Sequence, residues 1–206
     1  ELAPLLRARE PVSAIGLTGQ CPTVAPVNAK GDPVGPGLIY RDNRAVVEAR
    51  EMREAVGDAV MHRRTGHLAE AFHIAPKILW LRRPEPEVFR ATTRFRQPRD
   101  IVLHRLTGRF ATDESHANAT LLFDLRERRW ALDRLDRFGL AATRVPEAIQ
   151  LWAVAGELAA RASVECGLPA GIPVVIGAAD SQSAAFGTSV WDPGPVSEMA
   201  GASPSL

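Results

Sequence analysis

Apolar positions along the chain fall into short β-branched runs alternating with longer stretches of helical spacing. The run Ile-Pro-Val-Val-Ile at 172–176 fits a buried strand of a parallel sheet better than a helix. Gly177, Ala178 and Ala179 follow without bulk, then Asp180, then small residues at 181–187 that read as a helix start. A second apolar run at 12–17 predicts a strand closed by Thr18-Gly19-Gln20. Runs at 23–27 and 37–40 predict a hairpin whose turn, 28–33, is rich in turn formers. Helices are predicted at 45–56, with Asp42 or Asn43 as cap, at 75–81, stopped by Pro84, and at 85–93. The segment 98–108 opens on Pro98 and closes on Gly108, with Ile101, Val102 and Leu106 near one face. Residues 110–120 read as a polar loop, 121–123 as a brief strand, and 130–138 as a helix ended by Gly139. A helix at 157–166 has Gly167 just past its end. Leu2, Leu5 and Leu6 have helical spacing ahead of Pro11, and a last strand is expected around 195–200. This order of elements is that of an α/β domain with a helical insertion.

Composition changes this picture mainly by exclusion. The 206 residues are 46% hydrophobic and 24% charged, a balance that can bury a core. A formal net charge of +1 gives no bulk electrostatic case for nucleic acid or a membrane surface as partner. No apolar run approaches membrane-spanning length. Cys21 and Cys166 are far apart and form no CxxC, so neither a disulfide framework nor a zinc site is expected, and a reducing cytoplasm is the default. His62, His67, His73, His104 and His116 make no HExxH and read as solvated or helix-face residues, with no metal site. Arg126, Arg128 and Arg129 read as a solvated face or a hairpin. No GxGxxG or GxxxxGK[ST] occurs, and Ser203 in Gly-Ala-Ser-Pro is not a GxSxG elbow. The chain opens at Glu1 in what reads as mid-helix and stops at Leu206 in a loop, which predicts that both ends are cut.

Polar groups remain at the ends of predicted strands: Gln20 and Cys21 after the first, Asp42 and Arg44 after the hairpin, Asp180 after the run at 172–176. Ligands of open α/β sheets gather at carboxyl ends of strands. Carboxylates at two such ends suit a polyhydroxylated ligand, because each accepts hydrogen bonds from hydroxyls and one can accept a proton. Asp180 therefore reads both as a general base and as an N-cap of the following helix. Asp42 reads both as a substrate ligand and as a cap paired with Arg44.

Several segments carry a family resemblance. Ile15-Gly-Leu-Thr-Gly-Gln20 is similar to a strand ending in SGQ or AGQ, and Pro36-Gly-Leu-Ile-Tyr-Arg-Asp-Asn-Arg44 to PAILWxDxR. Ala75-Pro-Lys-Ile-Leu-Trp-Leu81 is similar to APKLLWL. Pro98-Arg-Asp-Ile-Val-Leu-His-Arg-Leu-Thr-Gly-Arg-Phe-Ala-Thr-Asp113 resembles PKDYLRYRLTGEFATD, and the segment from Gly167 to Asp180 resembles GLPAGTPVVAGGGD. In order along nearly the whole chain, these resemble the amino-terminal domain of the FGGY carbohydrate kinases, xylulokinases above all. The resemblance implies a ribonuclease-H/actin-like domain and ATP- and Mg2+-dependent phosphorylation of a sugar or polyol. It implies Asp180 as catalytic base, and Gln20, Cys21, Pro22, Asp42, Ser181 and Gln182 along the sugar pocket. Gly201, Ala202 and Ser203 would form a phosphate turn for the nucleotide. Family analogy suggests a homodimer.

The sequence departs from the xylulokinase pattern at several of these positions. Cys21-Pro22 stands where those kinases carry Met-His, Asp180-Ser181 where they carry Asp-Asn, Tyr40 at the Trp of LWxD, and Gly201-Ala-Ser-Pro204 at the GTSG turn. A pocket without that His and Asn reads hydroxyls differently. The family's first hairpin with its Asp-x-Gly-Thr loop is expected ahead of Glu1, and its ATP-binding domain after Leu206. Residues 1–206 are thus expected to be part of the sugar-binding domain, lacking its first strands and inactive alone. A non-catalytic sugar-binding or regulatory homologue is the alternative.

Overall fold

A computed structural model describes residues 11–189 and Gly194. The expected helix at 2–6 and strand at 195–200 lie outside the described residues. In chain order the first half holds β1 (Ile15–Gly16), β2 (Ala25–Val27), α1 (Val46–Val56), α2 (Asp58–Thr65), α3 (Ile74–Leu81), α4 (Pro86–Ala91), β3 (Arg94–Arg96) and α5 (Pro98–Thr107). The second half holds β4 (Ala111–Asp113), α6 (Glu114–Asn118), β5 (Phe123–Asp124), β6 (Arg129–Trp130) and α7 (Leu132–Arg137). A 3-10 turn (Ala142–Arg144), β7 (Glu147–Ile149), β8 (Val154–Glu157), α8 (Ala160–Cys166), β9 (Pro173–Val175) and α9 (Asp180–Gly187) complete it.

The apolar run at 172–176 builds β9 at the centre of a three-stranded sheet of order β1-β9-β8. β1 lies parallel to it, with Ile15 opposite Val174, and β8 antiparallel. The sheet is mixed rather than all parallel. Val174 and Ile176 are fully buried and pack with Ala155, Leu103 and Ala111, with Ile15 and Leu17 at the margin. Burying each such side chain is worth about 1.5–3 kcal/mol. A larger core of Met52, Met61, Ile78, Leu81, Leu121 and Leu122 holds the helical insertion together.

Helix α5 starts on Pro98 and carries a capping box between Gln97 and Asp100. Gly108 ends it at φ 75°, a left-handed position suited to glycine. Its buried face is Arg99, Asp100 and Leu103, whereas Val102 is 46% exposed, so the apolar face expected from Ile101, Val102 and Leu106 is displaced. The expected polar loop at 110–120 is instead β4 and α6, with Thr112, Asp113 and His116 buried. The reason is the same in both cases: buried charged groups pair with one another and occupy the positions that apolar residues usually take.

The expected hairpin exists as a backbone pair between Val24 and Leu38, while the full ladder partner of β2 is β3. Helix starts fall later than expected at 132 and 160, because Arg129–Trp130 pairs with β5 and Val154–Glu157 pairs with β9. The arginines at 126–129 sit on that tight β5–β6 connection, with Arg128 at φ 50°.

Candidate functional site

Because β1 and β9 are parallel, their carboxyl ends emerge side by side. Gly19 and Ala179 form a parallel bridge there, and the Asp180 N–H donates to the Gly19 carbonyl at 3.0 Å. Gln20 and Cys21 therefore follow directly beside the start of α9. The approach is close: a Cβ on Gly177, whose φ is 67°, would lie 1.7 Å from the Leu17 carbonyl oxygen. Only glycine fits that turn. The N-cap position of α9 is Ala179, with no side-chain cap. Asp180 is the first helical residue; its carboxylate accepts the Ser181 N–H at 2.9 Å and is exposed. Ser181 is half-buried and Gln182 exposed.

The other half of the predicted pocket is tied in by a residue to which the sequence reading gave no role. Lys77 is fully buried in α3, and its ammonium donates to the Ile39 carbonyl at 2.7 Å and the Pro22 carbonyl at 3.3 Å. It thereby joins the Cys21-Pro22 segment to the segment leading to Asp42. Burial pushes the Lys77 ammonium down to about 8, with Asp42 and Cys21 acting in the opposite sense. Asp42 accepts both the backbone and side-chain N–H of Arg44, at 3.1 and 2.9 Å. This is a local turn ahead of α1, whose N-cap is Ala45, so neither Asp42 nor Asn43 caps the helix. Burial raises the Asp42 carboxyl, but the Arg44 bonds and the Lys77 charge outweigh it and hold it below its usual range. The Arg44 guanidinium lies 4.7 Å over the Trp80 ring. Burial, with Asp113, Asp100 and Asp180 close by, pushes the Cys21 thiol well up, so it stays protonated.

Beneath Asp180 lies a buried charge network also missed in the sequence. Arg99 donates to the Ile176 carbonyl at 2.6 Å, to the Asp100 carboxylate at 2.9 Å and to the Asp113 carboxylate at 2.6 Å. Asp113 also accepts from the Ser115 hydroxyl, the Ser115 N–H and His116 Nδ1. Burial alone would raise Asp113, but His116, Arg99 and Ser115 prevail and hold it down at about 2. His116 and His73 are thus buried rather than solvated. Lys77 could have been found as a lone cation inside an apolar helix; Arg99 and Asp113 carried no comparable signal. Among the described residues no group of three or more His, Cys, Asp or Glu is placed to hold a metal ion. No helix there is long and apolar enough to cross a membrane. Gly201, Ala202 and Ser203 lie outside the described residues.

Comparison with known proteins places this arrangement in a family. Residues 7–187 match the FGGY family of carbohydrate kinases, N-terminal domain. The chain is 30% identical over 181 residues to a xylulose kinase of Escherichia coli K12, covering 88% of this chain and 37% of that protein. It is 30% identical over 199 residues to a glycerol kinase of Ectopseudomonas mendocina, covering 93% of this chain and 39% of that protein. The crystal structure of xylulose kinase from Rhodospirillum rubrum superposes with a TM-score of 0.88 at 28% identity, covering 91% of this chain and 38% of that one. The chain thus spans under two-fifths of the length of each of these relatives. It has the ribonuclease-H/actin-like fold of the sugar kinases and belongs to the FGGY family of carbohydrate kinases, matching its N-terminal domain.

Proposed function

We propose that this chain forms the acceptor side of an ATP-dependent kinase that phosphorylates a hydroxyl of a ketose or polyol, with Asp180 as general base. The observation that carries this reading is the exposed Asp180 carboxylate at the adjoining carboxyl ends of β1 and β9, its backbone held on Gly19 and Gln20 beside it. The acceptor hydroxyl gives its proton to Asp180 as its oxygen bonds the γ-phosphorus of ATP, and the bond from that phosphorus to the ADP oxygen breaks. Gln20, Cys21, Pro22, Asp42, Ser181 and Gln182 line the acceptor pocket, and the chain corresponds to part of a sugar-binding domain. A thiol and a proline at 21–22 offer fewer hydroxyl partners than a polar pair, which favours a narrower acceptor than a pocket rich in donors would take. The described residues do not by themselves build a Mg2+ site. Mg2+ belongs with the nucleotide phosphates, and the nucleotide side falls to Gly201, Ala202 and Ser203 and to a second, ATP-binding domain.

The test is an ATP-consumption screen of the complete gene product over ketoses, pentitols, tetritols, glycerol and gluconate, beside Asp180→Asn. One acceptor is expected to turn over, with Asp180→Asn lowering kcat by about 10²–10⁴-fold. Near-normal turnover in Asp180→Asn sinks the assignment of the base. No turnover with any acceptor, together with a sugar that raises the melting temperature, marks a sugar-binding module instead.

A further inference from the structure

The segment 176–179 between β9 and α9 has no regular ladder of its own, yet its backbone is held at every step. The Ile176 carbonyl accepts from Arg99 at 2.6 Å and the Gly177 carbonyl from Arg99 at 3.3 Å. The Ala178 carbonyl accepts from the Thr18 hydroxyl at 3.0 Å. The Ala179 N–H donates to the Ser115 hydroxyl oxygen at 3.0 Å. Both Arg99 and Ser115 are anchored on one buried carboxylate, Asp113. Side chains from α5 and α6, distant in sequence, therefore grip both ends of the segment that delivers Asp180.

We propose that Ser115, fixed by Asp113, is a positioning residue for Asp180. The Ser115 hydroxyl has one proton, which it gives to Asp113, leaving its lone pairs aimed at the Ala179 N–H. That N–H belongs to the N-cap residue of α9, so the bond sets where the helix begins and where its first residue points. Removing the hydroxyl orphans this N–H and frees the N-terminus of α9 to shift, while β9 and the sheet stay in place. A proton acceptor displaced by a fraction of an ångström loses rate more than binding, because the transition state demands tighter alignment than the bound ground state. This inference rests on Asp180 acting as base.

The experiment compares Ser115→Ala, Ser115→Cys and Ser115→Thr in the complete gene product with wild type and Asp180→Asn. Ser115→Ala is expected to lower kcat about tenfold while the acceptor KM stays within about twofold. Ser115→Thr, which keeps the hydroxyl, is expected to restore most of the rate. Ser115→Cys, nearly isosteric with a weaker acceptor, is expected to fall between and tests the idea if the alanine variant does not fold. Amide hydrogen exchange gives a readout independent of turnover: the Asp180 N–H is expected to exchange about tenfold faster in Ser115→Ala, with the Val174 N–H unchanged. A kcat within twofold of wild type, a change in KM alone, or unchanged Asp180 exchange overturns the proposal. If Asp180→Asn retains activity while Ser115→Ala speeds Asp180 exchange, the brace stands as structure and the assignment of the base has failed instead.

Discussion

Replacing Lys77 with methionine should test both the stability of this fold and the shape of the proposed acceptor pocket. The substitution keeps the length and apolar stem of a fully buried side chain and removes its charge. Two hydrogen bonds go with it, to the Ile39 and Pro22 carbonyls. Each bond to a charged donor is worth about 1.5–3 kcal/mol. Against that loss stands relief of the burial penalty that lowers Lys77 from 10.5 to about 8, which is on the order of 3 kcal/mol. The bonds lost outweigh the relief, because two carbonyls are left without a donor, so Lys77→Met should cost up to about 3 kcal/mol at pH 7 while loosening the segments at 21–22 and 39–42. The acceptor KM should rise about tenfold, with kcat less affected. The pH dependence gives a sharper check. The folded state binds the Lys77 proton more weakly than the unfolded state, so between about pH 8 and 10.5 the unfolded chain holds more protons. Stability contributed by this group therefore rises with pH, by about 2.5 kcal/mol from pH 7 to pH 10. Groups common to both proteins, the Cys21 thiol among them, cancel in the difference. Urea denaturation of wild type and Lys77→Met across that range should show wild type gaining this increment relative to the variant. A flat difference profile would refute the reasoning, since only a lysine that binds its proton as tightly in the fold as in the unfolded chain has no such increment to give.

Two further outcomes follow from the same geometry. Gly177→Ala puts a Cβ into the Leu17 carbonyl at a positive φ, and should cost about 3 kcal/mol or more in denaturant unfolding; a loss under about 1 kcal/mol would mean that β1 and the 177 turn separate freely. Asp113→Asn breaks the buried pair with Arg99 and should cost about 3–5 kcal/mol at pH 7. Since the folded Asp113 carboxyl sits at about 2, below the unfolded 3.8, its stabilisation is present above the unfolded value and is lost as pH falls toward the folded one. The gap between wild type and Asp113→Asn should therefore narrow by about 1 kcal/mol between pH 7 and pH 3, measured by parallel urea titrations.

How much of this was legible in the sequence depended on whether a segment obeyed the ordinary partition of polar and apolar residues. The run at 172–176 did, and its strand, the tiny turn at 177–179 and the helix beginning at Asp180 all appear where the pattern put them. The helices at 46–56, 74–81 and 98–107 were also readable from periodicity with Pro and Gly at their ends. The misread stretches are those where charge goes inside. Arg99 and Asp100 take the buried face of α5 and leave Val102 in solvent, and Thr112, Asp113 and His116 make a buried strand and helix start out of what reads as a loop. Short strands such as Arg94–Arg96 and Glu147–Ile149 were missed because their partners are distant in sequence and nothing local marks them.

Those same buried charges explain why the site can be built from irregular chain. A buried ion pair is poor evidence of stability, since a well-packed apolar replacement often does as well. What apolar residues cannot do is satisfy backbone carbonyls that lie outside any ladder. The Pro22, Ile39, Ile176 and Gly177 carbonyls lie outside the helices and strands, and each accepts from a buried cation, Lys77 for the first two and Arg99 for the others. A backbone group left unpaired in the interior costs about 1–3 kcal/mol. The segments at 20–22, 39–42 and 176–180 can therefore leave the sheet and helices because long cationic side chains reach from α3 and α5 to receive them. Methionine at 77 or 99 would fill the same volume and leave two carbonyls orphaned at each place. On this view the charges are retained for the geometry of the loops, and the cost to the core is the reason that so few positions carry them.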